Sequence, residues 1–323
     1  MKLNTAIIGC GNIGTKRIEA LVSLSDFFKI SALVGNPISD KNCHAEKLSK
    51  KYKCVFFTNW RDILKKKNIQ AVILSTPPHL FYEIGSEVMK RGIHLLIEKP
   101  LGQNFKEAKK LYDLSIKHKV VLKTGYNLRF DNGVEEVKNI LKKKMIGKPY
   151  FCKIEYVNGT AKTNTNAIGS LLDLGSHIIN LFNFFFHGSL KLNYSEGNSY
   201  EFSKIDNGYI SLNINKISCL AHHSFVRWKN NFSVQIFGKK GYLILESLPK
   251  WGYQKITIGK RKYPSGKPVL KSIIFRSRRD SSWKKECKNF FELISKKNYF
   301  FNKEGLDTMA TIEDCGKYNK FKI

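Results

Sequence analysis

The sequence predicts an α/β chain in two parts: a doubly wound parallel sheet first, then an α+β domain built on a mostly antiparallel open sheet. Three observations predict it. Apolar runs of strand length alternate with helical patterns over the first 123 residues, a rhythm that requires right-handed crossovers and a parallel sheet. The first of those runs ends in Gly9-Cys10-Gly11-Asn12-Ile13-Gly14, a glycine turn between a strand and a helix. From about Thr124 the pattern becomes period-two alternation broken by short turns, as antiparallel strands require. The expected domains are therefore 1–123 and 124–323.

In order, parallel strands are expected at 3–8, 30–34, 55–57, 71–75, 94–97 and 120–123, all short and apolar. Helical spacing runs through Ile18, Leu21, Val22 and Leu24, then over 80–90 and 106–116. Ligands of such sheets bind outside the C-terminal strand ends. Function is thus expected in four loops: Gly9 to Gly14, Gly35-Asn36-Pro37, Thr76-Pro77-Pro78-His79 and Glu98-Lys99-Pro100. The second part opens with a helix over 134–144 and a strand over 150–157, followed by a helical segment carrying Asp173 and His177. A series of alternating strands follows, including 209–214, 218–225, 232–237 and 242–245, with hairpin turns such as Lys239-Lys240-Gly241. Helices near 283–294 and 303–318 close the chain.

Composition narrows the function classes. With 323 residues, 42% hydrophobic and 12% aromatic, the chain can bury two cores. It has no apolar run long enough for a bilayer, and a strand begins almost at Met1, so a cytoplasmic protein without a membrane partner is expected. Seven scattered cysteines without a C-x-x-C, and eight histidines without ligand spacing, suggest reduced thiols and no metal. The net charge of +30 is the usual footprint of a nucleic-acid binder. Yet only nine of the 56 basic residues are Arg, and the lysines are spread from end to end, so no nucleic-acid partner is expected. The densest basic stretch, 255–279 with Lys260, Arg261, Lys262, Arg276, Arg278 and Arg279, reads as a solvated loop. A surface for a phosphorylated or nucleotide-linked substrate is the alternative.

The glycine loop has a physical reading. The first glycine permits the tight turn, the second lets a pyrophosphate approach the backbone, and the third lets helix and strand pack closely. The helix N-terminus then offers N–H groups and a positive dipole end. Lys99 ends a buried strand, an unusual place for a surface lysine. Asp173 and His177 stand four residues apart and share one face if the segment is helical. A dinucleotide loop, a lysine and an Asp/His pair together suit hydride transfer.

These motifs, in this order, resemble the Gfo/Idh/MocA oxidoreductases. The likeness runs through the glycine loop, Thr76-Pro77-Pro78-His79, Glu98-Lys99-Pro100, Gly125-Tyr126-Asn127-Leu128-Arg129-Phe130 and Leu171-Leu172-Asp173-Leu174-Gly175-Ser176-His177. Arg227-Trp228-Lys229-Asn230-Asn231-Phe232 and Ser282-Trp283-Lys284-Lys285-Glu286 are similar to members found near surface-polysaccharide genes. The resemblance implies a Rossmann domain holding NADP or NAD through Gly9, Gly11, Asn12, Ile13, Gly14, Asn36, Thr76, Pro77, His79, Glu98 and Lys99. It implies a sugar, nucleotide sugar or cyclic polyol as substrate, contacted by Lys99, Tyr126, Asn127, Arg129, Asp173 and His177. In the catalytic set, Lys99 holds the hydroxyl and favours alkoxide-like charge, His177 moves its proton, and Asp173 orients His177 or relays the proton. Arg129 reads equally as an anion clamp or an interdomain support.

Several departures accompany the likeness. Where NAD-preferring members often place an acid after the second strand, this chain has Gly35-Asn36, leaving room for a 2′-phosphate with Lys16, Arg17 or Lys41 as partners. Phe81 stands where the family often has His, and Asn180 where an Asp is usual. His222-His223 reads as structural. The family's open sheet implies a homodimer or homotetramer paired sheet to sheet, with Phe225, Trp228, Phe232 and Phe237 expected on the open face. A non-catalytic dinucleotide-binding protein and a nucleic-acid binder are the rival classes.

Overall fold

The structure, a computed structural model, describes residues 2–35, 44–161, 168–262, 268–275, 280–299 and 303–318. The chain divides into two compact units: Met1–Asn127 with Trp283–Met309, and Leu128–Ser282 with Ala310–Ile323.

The first unit is wound β1 (Leu3–Ile8), α1 (Asn12–Val22), β2 (Phe28–Val34), α2 (His44–Tyr52), β3 (Val55–Phe57), α3 (Arg61–Leu64), β4 (Ala71–Leu74), α4 (Phe81–Lys90), β5 (His94–Glu98), α5 (Phe105–Lys117) and β6 (Leu122–Gly125). All six strands run parallel in the order β3-β2-β1-β4-β5-β6. Ala71, Val72, Ile73 and Leu74 of β4 are completely buried, as a strand covered on both faces must be. Asn104 caps α5, its side chain accepting from Glu107 N at 2.9 Å, which fixes where the chain turns after Pro100.

The second unit comprises α6 (Asn132–Lys142), β7 (Pro149–Val157), a π-helical turn at Leu171–Gly175 leading into α7 (Ser176–Phe186), then β8 (Lys191–Asn198), β9 (Asn207–Ile214), β10 (Ile217–Ser224), β11 (Asn231–Gly238), β12 (Gly241–Glu246), β13 (Gln254–Lys260) and β14 (Val269–Phe275). Its sheet is ordered β14-β13-β12-β11-β7-β10-β9-β8 and is antiparallel except where β7 meets β10. On one face α7 packs against β7, β9 and β10, and α6 against β12 and β13, over a core that includes Ile154, Leu212, Cys219, Ile236 and Leu243.

Three expectations need correction or adjustment. The basic stretch 255–279 is not a loop throughout. Lys255 and Lys260 lie in β13, whose Ile256 and Ile258 are buried; the lysines that flank this short alternation mask it in the sequence. Arg276, Arg278 and Arg279 lie outside the described residues. Phe225 and Phe232 do not face outward: both are buried, Phe232 beside Val234 and Ile236 on the core side. Phe232 and Phe237 are an odd number of residues apart, so the pleat sends them to opposite faces. Phe237 and Trp228 are exposed, at 37% and 69%. Finally, α8 (Ser282–Ser295) contributes Cys287, Phe290 and Leu293 to the same buried cluster as Ile18, Leu21 and Phe28, so most of it belongs with the first unit. The last helix, α9 (Lys303–Tyr318), spans the second division at 309/310. No helix among the described residues is long and apolar enough to cross a membrane.

Candidate active site

In the first unit the C-terminal ends of β1, β4 and β5 lie side by side, so the glycine loop, the Ser75–Thr76 turn and Lys99 share one edge of the sheet. Each glycine of the loop answers to a different neighbour. Gly9 has φ +92, and a Cβ there would stand 2.7 Å from the backbone of Ser75. At Gly14 a Cβ would meet Gly9 O at 2.0 Å. Both are demanded by the protein itself. Gly11 has an ordinary φ of −67 and a Cβ there would meet nothing within 4 Å. Its bareness therefore serves something outside the chain. Gly11 is also the N-cap of α1, without a side-chain capping bond and with no acid in the first turn. Open N–H groups, the dipole end and the open approach at Gly11 fit a pyrophosphate. Asn12 and Ile13 are exposed beside it, and Thr76 Oγ1 is buried without a hydrogen-bond partner. Pro77 and His79 are exposed, His79 within a short 3-10 turn. The dinucleotide site expected from sequence thus fits the residues present, except that Asn36 lies outside the described residues.

At the end of β5, Glu98 and Lys99 part ways. Lys99 is half-buried. Glu98 turns inward, its Oε1 accepting from Arg17 Nε at 2.7 Å, with Arg17 Nη2 at 2.6 Å. Arg17 Nη1 reaches Glu286 Oε2 of α8 at 2.6 Å, and the guanidinium stacks 4.5 Å from the Trp283 ring. Gly125 has no side chain because one would strike Arg17 Nη2 at 2.6 Å. Arg17 is completely buried. It therefore cannot serve as the 2′-phosphate partner expected from sequence; its two carboxylates hold it in the interior, and their attraction outweighs desolvation and raises its pKa. Glu286 is held above the usual carboxylate range by burial, with Arg17 pulling it back. Lys16 stays exposed near the same ring, 5.5 Å away, and Lys41 lies outside the described residues.

In the second unit Asp173 sits in the π-helical turn and His177 in the first turn of α7. A π turn is an uncommon local geometry that concentrates at functional sites. Asp173 is half-buried and His177 is 7% exposed. Around His177 lie residues that sequence reasoning did not single out. The Tyr156 ring is 6.0 Å from His177 and packs edge-on against Trp251 at 5.8 Å and Phe232 at 5.6 Å. Lys250 Nζ donates to Tyr156 Oη at 3.2 Å. Desolvation lowers the Lys250 pKa, offset in part by Asp173 and Asp280. Tyr156 lies in an alternating strand, and Lys250 is one lysine among many, so only the turn Leu248–Trp251, closed by Trp251 N to Leu248 O at 2.8 Å, brings them together.

The other expected substrate contacts are distributed. Tyr126 and Asn127 follow β6 in the first unit and are 2% and 7% exposed. Arg129, in the second unit, stacks 4.7 Å from the Phe184 ring, and its charge helps desolvation lower Lys138 to about 8. His222 bonds Glu155 and Asn207 on the open sheet face, and His223 bonds Ser170 at 2.9 Å in the core. Among the described residues no group of three or more His, Cys, Asp or Glu side chains is arranged to hold a metal ion.

Residues 3–126 match the NAD-binding Rossmann-fold domain of the Gfo/Idh/MocA oxidoreductases, and residues 138–315 match that family's C-terminal α/β domain. The chain belongs to the Gfo/Idh/MocA oxidoreductase family. Its relatives include myo-inositol 2-dehydrogenase of Thermotoga maritima, 28% identical over 156 residues, or 47% of this chain and 44% of that one. Levoglucosan dehydrogenase of Pseudarthrobacter phenanthrenivorans is 26% identical over 194 residues, 55% and 50% of the two chains. The chain spans about half the length of the curated relatives it matches. Among solved structures, a levoglucosan dehydrogenase in complex with NADH superposes with a TM-score of 0.85, covering 98% and 97% of the two chains at 16% identity. A 3-ketoreductase from Actinomadura kijaniata, bound to TDP-benzene and NADP, gives 0.82 over 99% and 98% at 15% identity. At these identities the likeness to the Gfo/Idh/MocA structures is one of fold.

Proposed function

We propose that this Gfo/Idh/MocA protein is a cytoplasmic NAD(P)-dependent dehydrogenase or reductase acting on a secondary hydroxyl, or its ketone, of a sugar, nucleotide sugar or cyclic polyol in surface-polysaccharide synthesis. The observation that carries the reading is the shared sheet edge in the first unit, where a loop that leaves open space at Gly11 stands two strands from Lys99. Relatives named for inositol and levoglucosan, and a neighbour bound to a TDP compound with NADP, support the substrate class.

The nicotinamide, when bound, supplies or accepts the hydride. Gly9, Gly11, Asn12, Ile13, Gly14, Thr76, Pro77, His79 and Lys99 line its side of the site, while Glu98 anchors the strand end through Arg17. The Lys99 ammonium holds the substrate hydroxyl and stabilises the negative charge that grows on its oxygen during oxidation. His177 takes the hydroxyl proton, or returns it in reduction, and Asp173 fixes the imidazole for that exchange. Tyr126, Asn127 and Arg129 orient the rest of the substrate.

Turnover of NAD⁺ or NADP⁺ against a panel of sugars, nucleotide sugars and cyclitols tests this. Lys99→Ala and His177→Ala should each lower turnover by about 10²-fold or more while leaving cofactor affinity largely intact, the scale expected for a lost charge-stabilising or proton-transferring group. Near-normal turnover in both variants contradicts the mechanism. Cofactor binding without turnover of any panel member would instead favour a sensing or assembly role.

The same reading includes a homodimer or dimer of dimers joined through the uncovered sheet face. Tyr209, Leu220, Phe237, Leu270 and Ile274 are exposed there, between 37% and 56%, an apolar content that favours self-association. Light scattering at micromolar concentration should report a dimer or tetramer. A monomer, with and without cofactor, contradicts it.

A further inference from the structure

The acid–base reading makes no use of Lys250, although its side chain is built into the surroundings of His177. Leu248, 2% exposed, anchors the turn that presents it. The ammonium lies 5.6 Å from the Tyr156 ring and 4.6 Å from the Trp251 ring. Tyr156 in turn lies against His177.

Two properties set Lys250 apart from the many solvated lysines. Its side chain is accessible, yet its ammonium is held over two aromatic rings and bonded to Tyr156 Oη, and this packing desolvates it in part. Among the described residues it has no carboxylate within ion-pair distance, and Tyr156 Oη receives its hydrogen bond. An ammonium carries three N–H donors, so two directions remain for a ligand. Aromatic faces attract a cation but do not neutralise it. Asp173 and Asp280 act on this ammonium only from beyond ion-pair distance, so it still gains from a negatively charged partner in direct contact, and the adjoining indole offers an apolar face to the C–H side of a sugar ring.

We propose that Lys250, held between Tyr156 and Trp251, binds a carboxylate or phosphate substituent of the sugar whose hydroxyl His177 serves, so that this chain takes an acidic sugar. The proposal rests on the oxidoreductase reading of Asp173 and His177, and adds to it the charge of the substrate.

Calorimetric binding to the NADH- or NADPH-loaded protein tests it with matched pairs: D-glucuronate against D-glucose, UDP-glucuronate against UDP-glucose, and D-glucose 6-phosphate against D-glucose. The wild type should bind the acidic member of at least one pair about ten- to a hundredfold more tightly, the worth of one charge-assisted hydrogen bond. Preference in the uronate pairs identifies a carboxylate, and preference confined to the third pair a phosphate. Lys250→Met should bring the ratio close to one without weakening the neutral member, whereas Lys250→Arg should keep it. His177→Ala should retain the preference while losing turnover. Normal turnover in His177→Ala with the preference intact would refute the acid–base reading and leave the anion site standing. Absence of preference in the wild type, including absence of binding by every probe, overturns the proposal. So does a preference that Lys250→Met leaves unchanged.

Discussion

In the first unit Arg17 is completely buried and closed on Glu98 and Glu286, whereas in the second Lys250 is accessible and rests on two aromatic rings. Both cations stand next to residues assigned to catalysis, Arg17 through Glu98 to Lys99 and Lys250 through Tyr156 to His177. Their surroundings separate architecture from recognition. A charge closed on carboxylates at contact distance, as Arg17 is, has a structural role, whereas Lys250, on which Asp173 and Asp280 act only from farther away, is the one proposed to meet a ligand.

The largest effect expected from this contrast is on stability. Arg17→Met leaves Glu98 and Glu286 buried without their partner and should destabilise the protein by about 3–5 kcal/mol, as breaking one side of a buried pair does. Lys250→Met should stay within about 0.5 kcal/mol, as for substitutions that break no buried pair. Urea unfolding of the two variants checks the difference. Equal midpoints would remove the distinction between the sealed and the open cation.

A smaller effect concerns acid. His94 Nδ1 accepts the Val121 N–H at 3.0 Å, and burial lowers its pKa from 6.5 to about 4. The unfolded chain then binds the proton first as pH falls, so ΔG of unfolding is at its fullest above about 6.5 and declines toward pH 4. The loss by pH 4.5 should be about 2–3 kcal/mol from this group. In the second unit His223, lowered to about 3 by burial, has the same sign and carries the decline further down. Urea midpoints at pH 7 and 4.5 should show it, and His94→Gln, which keeps an acceptor without titrating, should flatten the slope. A slope unchanged by that substitution assigns the acid sensitivity elsewhere.

The two units also differ in how much of them the sequence reveals. The first unit's site is made of backbone: glycines at fixed spacing, strand ends and a helix start. Those features are local, so spacing alone places Gly9, Gly11 and Gly14 between β1 and the start of α1, Thr76 after β4 and Lys99 after β5. The second unit's candidate site gathers side chains from β7, α7 and the turn after β12. Asp173 and His177 were legible because they are four residues apart. Tyr156 and Lys250 are 94 apart, and only the register of an eight-stranded sheet joins them. Arg17 shows a different limit: beside a glycine loop it reads as a phosphate ligand, and only the arrival of Glu286 from α8 reveals that it points inward. The lysines of 255–260 concealed β13 because a strand with one covered face alternates apolar residues with whatever solvent tolerates.

If the glycine loop holds the nicotinamide cofactor, Gly11 is the residue that shows it most directly, because a side chain there meets no neighbour within the protein. Fluorescence titration of NADH and NADPH into the wild type and Gly11→Val, each with its unfolding midpoint measured alongside, is the deciding experiment. Gly11→Val should stay folded, losing about 1 kcal/mol to the poorer N-cap, and should no longer bind either cofactor, since the valine occupies the approach of the pyrophosphate. A folded Gly11→Val protein that binds NADH or NADPH with wild-type affinity would contradict it.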